Sequence, residues 1–501
     1  MSVLKKLASD TATYGISTML GRFLNYMLVR LHTDLFEPEQ IAAQGQMYSY
    51  AGIALVLYTF GMETAFFRFA RQETNRKEYY NLILSTVIIV SLFFSGLLFL
   101  FAQQTAVLIK YPESVSIVRM FAMIMAIDGI VSIPFARLRL ENKGKKFVIF
   151  KVANILINIA LNLFFLIICR DIHAGKYLSV FKPAIELFYN PLHAPDYIVL
   201  ANLIANLSFL WMLRRELADF KFVFNKNLFK PVWVYAFPIL IMNIGGMLNM
   251  LFDRAAIQFL LPKNFYPGRT SDQAIGIYLQ CYKLSIFMSL ATQAFKYAAE
   301  PFFFSKGEDK NAPPVFAKIT KWFVIICVLM WVGISLNIDL LAELFLGKKI
   351  YHEGLSVVPW LLAGYMFLGI YYNIATWFKL TDKTEYGTWL TLTGAFITIV
   401  LNIILVPQIG YLGCAIAFAV SGFIMVALCY IFGQKHYPVP YEIPSALIYV
   451  ALGILFITGS MAFKIADLRI SVPVHIVAFL IFASIIFLAE RKNIPFLQKH
   501  K

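Results

Sequence analysis

Long apolar runs recur along the whole chain, and each approaches the length that an α-helix needs to cross a bilayer. Such a crossing takes about 20 residues, and the chain of 501 residues contains many runs of this kind. Hydrophobic residues make up 60% of the sequence and charged residues 14%, whereas soluble domains carry about 25% charged residues. The sequence therefore excludes a soluble enzyme and a disordered scaffold, and it predicts an all-α integral membrane protein.

The hydropathy pattern predicts fourteen transmembrane helices. Alternate loops, starting with the N-terminus, are richer in Lys and Arg than the loops between them. Because positive residues favour the cytoplasmic side, we expect both termini in the cytoplasm. The predicted spans are 9–33, 41–67, 80–102, 114–136, 148–169, 195–213, 232–260, 273–299, 318–338, 355–378, 386–406, 410–432, 443–463 and 472–489.

Two short segments repeat six helices apart. Segment 21–30 aligns with segment 245–254, and 161–163 aligns with 401–403. The repeat predicts two pseudo-symmetric six-helix lobes, related by an axis along the membrane normal, with the substrate bound between them. The predicted divisions are 1–215 for the N-terminal lobe, 216–231 for a cytoplasmic linker, 232–435 for the C-terminal lobe, 441–491 for two additional helices and 492–501 for a cytoplasmic tail.

Four cations of special interest fall within predicted spans, namely Arg22, Arg30, Arg254 and Lys283. A cation at the bilayer centre costs about 2.5–3.5 kcal/mol, so it must face a wet cavity or a counter-ion. Arg30 lies near the end of its helix, where a long side chain can reach the interface. The sequence leaves open whether the others bind an anion or form ion pairs, as Arg254 would with Asp253.

Four carboxylates lie in spans or at their ends: Glu63, Asp128, Asp253 and Glu300. A carboxylate shielded from water can exchange a proton near neutral pH, which makes these residues candidates for proton or ion coupling. The alternative is that they are counter-ions to the buried cations. The sequence leaves both interpretations open.

Motifs for catalysis and for cofactor binding are absent. The chain has no GxxxxGK[ST] loop, no HExxH and no GxSxG, and its five cysteines have no CxxC spacing. The net charge of +16 is explained by loops that face an anionic leaflet. We therefore expect no catalytic residue, no metal, no cofactor and no nucleic-acid partner.

Several motifs resemble those of one transporter family. They are the segment Gly61-Met62-Glu63-Thr64, the segment Glu300-Pro301-Phe302-Phe303, and Leu401-Asn402 followed by Pro407 and by Gly-x-x-Gly-x-Ala from Gly410. In this order and spacing they resemble the polysaccharide-transporter branch of the multidrug/oligosaccharidyl-lipid/polysaccharide exporter superfamily, which contains the O-antigen and capsule flippases. The fold that this resemblance implies is that of the multidrug exporters with two further C-terminal helices.

The resemblance implies a flippase that moves undecaprenyl-diphosphate-linked oligosaccharide from the cytoplasmic to the periplasmic leaflet of a bacterial inner membrane. The implied partners are the bilayer, this lipid-linked substrate and the polysaccharide polymerase or ligase machinery, and the implied state is a monomer. A cationic cavity for the diphosphate would contain Arg22, Arg30, Arg254 and Lys283, with Asn25 and Asn249 as its polar lining.

Two other functions compete with this interpretation. A lipid II flippase would differ mainly in the sugar that it carries. A multidrug cation antiporter would need a cavity dominated by acids, and the deep basic residues of this chain disfavour it.

Overall fold

The computed structural model describes residues 24, 26–70, 73–141, 143–306, 309, 311–381, 383–463, 465 and 467–493. Within these ranges the regular structure is entirely helical and no strand occurs. The predicted all-α class is therefore confirmed.

Helices in the first half of the chain run from residue 26 to residue 260. They are α1 (26–35), α2 (Pro38–Thr59), α3 (Met62–Phe69), α4 (Glu73–Leu100), α5 (Ala102–Leu108), α6 (Val115–Leu140), α7 (Gly144–Leu163), α8 (Arg170–His173), α9 (Lys182–Glu186), α10 (Asp196–Met212), α11 (Arg214–Ala218) and α12 (Lys226–Leu260). A π-helical turn, Phe164–Cys169, joins α7 to α8 without a break.

Helices in the second half of the chain start at residue 271. They are α13 (Ser271–Leu284), α14 (Ile286–Lys306), α15 (Ala312–Leu336), α16 (Ile338–Phe345), α17 (Val358–Ile374), α18 (Thr376–Leu380), α19 (Glu385–Ile409), α20 (Tyr411–His436), α21 (Ile443–Ala462) and α22 (Leu468–Glu490). A 3₁₀ segment, Lys349–Val357, leads into α17.

Eleven helices of the described chain are long and apolar enough to cross a membrane. The pair α13 and α14 forms a twelfth candidate that is bent by 42°, and α10 is a shorter apolar helix. These thirteen coincide in position with predicted spans, whereas the first predicted span, 9–33, lies mostly outside the described residues. The count of fourteen therefore stays a prediction.

The chain divides into two compact units by its internal contacts. The first contains Phe36–Ala255 and the described residues before Val29, and the second contains Val29–Leu35 and the described residues from Ala256 onward. The division falls within α12, and the predicted bounds of the lobes, linker and tail stay predictions. The segment before α12 packs against α4 of the first unit, where the backbone amide of Lys221 donates to Asn81 Oδ1 at 3.1 Å.

Aromatic side chains fill much of the core of the first unit. The ring of Phe135 meets those of Phe147 and Phe209 edge to face, with centroids 5.4 and 5.0 Å apart. This contact joins α6, α7 and α10. A second cluster joins α3, α4 and α12 through Phe66, Tyr80 and other buried side chains. Such aromatic contacts bury large areas and fix the crossing of neighbouring helices.

The second unit is built around α17. The indole of Trp331 on α15 donates to the Pro359 carbonyl at 2.8 Å. The last two helices are attached to α15 by a buried polar cluster, in which Lys321 Nζ lies 2.8 Å from Glu490 Oε2 and the Tyr449 hydroxyl donates to Glu490 Oε1 at 2.6 Å. Because Glu490 is 3% exposed, this ion pair orients α22 within the unit.

We predict that Gly364→Ala lowers the melting temperature of the detergent-solubilised protein. A Cβ at Gly364 would lie 2.3 Å from Phe418 Cδ1, and overpacking of this kind typically costs about 1–3 kcal/mol. At Gly459 nothing lies within 4 Å of an added Cβ, so Gly459→Ala should have no effect or stabilise the helix. Equal melting temperatures for the two variants would contradict the close packing of α17 on α20.

Candidate functional site

One membrane span of the second unit is broken at Ser285. The pair α13 and α14 bends there by 42°, and the Ser285 hydroxyl bonds back to the Tyr282 carbonyl at 2.6 Å. A break leaves backbone carbonyls at the end of one helix and amides at the start of the next without helical partners. Discontinuous helices in transporters use these groups to bind ions and anionic substrates, because the helix N-terminus carries partial positive charge.

Lys283 lies two residues before this break, near the middle of the span 271–296. Its ammonium donates to the neutral Gln280 Oε1 at 2.8 Å, and no carboxylate of the described chain forms an ion pair with it. The neighbouring Tyr282 is held by a hydrogen bond to Tyr365 on α17. The structure thus positions a cation at membrane depth whose charge is not balanced by a described acid.

Polar side chains continue along α14 beyond the break. Ser289 Oγ accepts a hydrogen bond from Gln293 Nε2 at 3.0 Å, and Lys296 Nζ lies 4.4 Å from the centroid of the Tyr372 ring. Positions 289, 293 and 296 share one helix face, because they are separated by four and three residues. The broken span therefore carries a polar stripe with a cation on each side of the break.

Arg254 has a different environment, on α12 of the first unit. Its Nη1 atom lies 2.6 Å from Asp253 Oδ1 and donates to the Met250 carbonyl at 2.7 Å. Both charged side chains are almost fully buried, and Gln46 on α2 donates to the Arg254 carbonyl at 2.7 Å. The arrangement is the ion pair that the sequence left open as an alternative to diphosphate binding. Asn249 lies one turn earlier and is buried as well.

Arg30 takes part in a clasp between α1 and the segment that follows α16. Its Nε donates to Asp34 Oδ2 at 2.9 Å, and its Nη1 donates to the carbonyls of Glu343 and Leu346 at 2.5 and 3.0 Å. The Gly347 amide completes the clasp with a 2.8 Å bond to Thr33 Oγ1. All of these contacts lie within the second unit. Arg30 therefore satisfies backbone carbonyls at a helix end.

Space for the clasp depends on the glycine at position 347. A Cβ there would lie 2.0 Å from Asp34 Oδ1. Lys349, two residues later, donates to the carboxylate of Glu343 and lowers the pKa of that carboxyl. The Glu343 side chain is thus paired with Lys349, and it is the backbone carbonyl of Glu343 that binds Arg30.

Asp128 lies at the end of a polar chain across three helices of the first unit. Asn206 on α10 donates to Asp128 Oδ1 at 3.0 Å, and Asn154 on α7 donates to Asn206 Oδ1 at 3.2 Å. Lys151, one turn before Asn154, lies over the rings of Phe135 and Phe209 at 4.3 and 4.8 Å. The carboxylate of Asp128 thus accepts a hydrogen bond from one neutral amide at membrane depth, and the charge of Lys151 acts on it without an ion pair.

The remaining predicted residues divide into two groups. Glu63 forms an ion pair with Arg139 and is about 40% exposed, which corresponds to its interpretation as a counter-ion. Arg22, Asn25 and the side chain of Glu300 lie outside the described residues. No group of three His, Cys, Asp or Glu side chains in the described part of the chain is arranged to hold a metal ion.

Sequence reasoning missed several members of these clusters. Lys296, Gln280 and Asn206 were not among the predicted residues. Lys296 lies at the edge of the predicted span 273–299, where a lysine is ordinarily interfacial. The spacing of Ser289, Gln293 and Lys296 was the available signal, because it places three polar residues on one face of a membrane helix.

The sequence profile of the family described as "Polysaccharide biosynthesis protein" matches residues 7–305, more than half of the chain. The chain belongs to the polysaccharide biosynthesis protein family. The predicted membership of the polysaccharide-transporter branch of the exporter superfamily is thus confirmed. Because this family belongs to the exporter superfamily, the chain is a multi-pass membrane transporter and not an enzyme. No curated protein matches the chain in sequence.

Solved structures show which fold this family member adopts. It is similar to the lipid II flippase MurJ in an inward closed conformation, with a TM-score of 0.71, 16% identity, and coverage of 95% of this chain and 99% of that chain. It is also similar to a multidrug MATE transporter in an inward-facing conformation, with a TM-score of 0.62, 13% identity, and coverage of 87% and 94%. At these identities the likeness establishes the fold.

We predict that Arg30→Gln in this polysaccharide biosynthesis family member lowers the melting temperature in the absence of any ligand. The change removes the charged donor of the Leu346 and Glu343 carbonyls, which costs about 0.5–1.5 kcal/mol because the Arg30 side chain is 42% exposed and water can replace part of the bonding. Arg269→Gln is the control, because Arg269 forms an ion pair with the half-exposed carboxylate of Glu353 and surface pairs contribute little. A stable Arg30→Gln protein with impaired transport would instead favour substrate binding by Arg30.

Proposed function

We propose that this protein is a flippase for undecaprenyl-diphosphate-linked oligosaccharides, which it moves from the cytoplasmic to the periplasmic leaflet of the bacterial inner membrane by alternating access. The observation that carries the proposal is the family match over residues 7–305. In this proposal the oligosaccharide is a precursor of a surface polysaccharide, and both termini of the protein are cytoplasmic.

The coverage of the solved structures supports a lipid-linked substrate. The lipid II flippase aligns with 95% of this chain and the inward-facing MATE transporter with 87%. The difference between these two coverages is comparable with the share of the chain that α21 and α22 occupy. A fold that includes the additional helix pair therefore fits better than one that lacks it. Transport of lipid II is the second candidate function, since the flippase named for that substrate has the higher TM-score.

The surroundings of Lys283 support an anionic head group. A diphosphate entering the membrane must exchange its hydration for fixed positive charge. Lys283 has no described counter-ion and lies beside the start of α14. A site for cationic drugs would need an acid in this position. We therefore assign Lys283 the first role in diphosphate binding.

Arg254 receives a different role in the proposal. A buried ion pair that loses one partner leaves an uncompensated charge, which costs about 3–5 kcal/mol. Because Arg254 is paired with its neighbour Asp253 and bonded to the Met250 carbonyl, its charge is balanced within α12. In the proposal it therefore has a structural role in this helix. Arg22 and Asn25 stay predicted contributors to the cavity.

Asp128 is the residue that we propose for coupling to a proton or cation gradient. Its carboxylate lies at membrane depth and accepts a hydrogen bond from Asn206, which is itself oriented by Asn154. A neutral amide partner is compatible with both protonation states of the carboxyl group. Its NH₂ group can donate to a carboxylate, and its oxygen can accept from a protonated carboxyl group. Glu63 and Asp253 form direct ion pairs with arginines, whereas Lys151 acts on Asp128 without an ion pair, so Glu63 and Asp253 suit coupling less well.

We predict that Lys283→Gln weakens binding of undecaprenyl-diphosphate oligosaccharide by about 10- to 100-fold. A hydrogen bond to a charged group contributes about 1.5–3 kcal/mol, and each 1.4 kcal/mol is tenfold in affinity. Native mass spectrometry from nanodiscs measures binding, and proteoliposomes measure flipping. Lys263→Gln, in the exposed connection before α13, is the matched control, and Lys283→Arg should retain most binding.

Three results would revise this site or this function. Unchanged binding in Lys283→Gln would remove Lys283 from the site but leave the substrate class intact. Preferential flipping of lipid II would select the second candidate. Transport of organic cations without any binding of lipid-linked sugar would overturn the flippase proposal.

We predict that Asp128→Asn abolishes the dependence of transport on an imposed pH gradient and changes substrate binding less than twofold. The amide retains the size of the carboxylate but cannot release a proton. Asp219→Asn is the control, since Asp219 is an exposed partner of Arg137. Gradient-dependent flipping by Asp128→Asn, measured in proteoliposomes, would place coupling elsewhere.

A further inference from the structure

The connection between α8 and α10 exposes an unusual amount of apolar surface. We refer to residues 174–195 as the interfacial loop. Six of its large hydrophobic side chains are between 49% and 87% exposed, namely Leu178, Val180, Phe181, Leu187, Phe188 and Leu192. The loop lies outside the candidate membrane spans, so lipid contact of a spanning helix does not account for this exposure. Contiguous apolar surface of this kind marks a partner or a membrane.

Aromatic contacts hold the interfacial loop against the side of the α7 span. The ring of Phe188 stacks on that of Phe164 with centroids 6.5 Å apart, and the Tyr197 hydroxyl donates to the Phe188 carbonyl at 3.0 Å. Phe164 lies six residues before Arg170, or roughly 9 Å along a helix with a rise of 1.5 Å per residue. The loop thus folds back along the helix instead of projecting beyond its charged end.

The interfacial loop folds back to the membrane depth at which α6 and α10 begin. Tyr197, at the start of α10, stacks on Phe165 at 5.1 Å. Asp196 accepts a 2.8 Å hydrogen bond from Ser116, at the start of α6. Polar side chains at the ends of two apolar helices mark the boundary of the hydrocarbon layer. Phe188 and the neighbouring part of the loop up to Asn190 therefore lie at this boundary.

Charged groups of the same region lie beyond that level. Arg170, Lys176 and Asp171 form an ion-paired cluster at the end of the span, and Lys182 and His173 lie within 4 Å of Glu186. Apolar residues at the hydrocarbon boundary with basic residues above them are the pattern of an interfacial membrane segment. A water-soluble partner would not reach side chains at this level.

We propose that the interfacial loop is embedded in the adjacent membrane leaflet, where its apolar side chains contact lipid acyl chains at the head-group boundary. The short α10 gives this arrangement a physical reason. Its 17 residues span about 26 Å, which is less than the roughly 30 Å of a bilayer core. The loop fills the part of the leaflet that α10 leaves open. The partner that the surface fits is thus a phospholipid leaflet.

Spin labels test this proposal in the full-length protein in phospholipid nanodiscs. Val180→Cys, Leu187→Cys and Leu192→Cys are labelled in separate variants, while the five native cysteines are all buried. Unsubstituted protein reports any labelling of those native thiols. We expect the three labels to collide more often with oxygen, which partitions into lipid, than with a water-soluble nickel chelate. Lys176→Cys is the matched control in the same loop and should show the opposite preference.

Two outcomes would overturn the proposal. Frequent collision of the three labels with the nickel chelate would place the loop in water. Low accessibility to both reagents, with immobilised spectra, would show that protein covers the surface, either another membrane protein or a second copy of this chain. Melting curves of the labelled variants establish that each is folded, and the exposure of the three side chains makes the substitutions mild.

Discussion

The structure depends on the exclusion of water from the membrane interior, because every charge placed there needs a partner. Asp253 pairs with Arg254, and Lys321 pairs with Glu490. The Lys321–Glu490 pair also attaches the C-terminal α22 to α15, whereas Asp253 and Arg254 are neighbours on α12 and balance each other's charge there. Pairs of this kind add little net stability, but removal of either partner leaves a buried charge.

Lys283 is an exception within the described chain, and its position explains why a transporter would retain it. A cation without a described acid at membrane depth is costly, so a binding role accounts for its presence better than a structural one. The break at Ser285 places the start of α14, which carries partial positive charge, beside the same lysine. Together they form a positively polarised region in the second unit, whereas Asp128 in the first unit is bonded to the amide of Asn206 and interacts with the charge of Lys151. In the proposed function these two places have separate tasks, the binding of the head group and the coupling of transport to a gradient.

Much of the fold could be predicted from the sequence, whereas the roles of single charged residues could not. The apolar runs located every span that the described residues allow us to compare, since the length of a membrane helix is set by bilayer thickness. The bend in the span 271–296 was not predicted, because Ser285 is compatible with an unbroken helix. Of the predicted cations, Arg30 turned out to hold backbone carbonyls of the segment after α16, and Arg254 to hold its neighbour Asp253.

The sequence by itself determined the class, the approximate positions of the spans and the family, because these follow from hydropathy and from short motifs that need no partner. Only the tertiary structure decided which charges are balanced. The counter-ions of Arg254 and Arg30 are Asp253 and Asp34, which lie within four residues of them. The backbone carbonyl of Leu346, 316 residues from Arg30, approaches it only through folding, and folding also decides that no described acid pairs with Lys283. Coulomb interactions fall off with distance in space, and separation along the chain does not measure that distance.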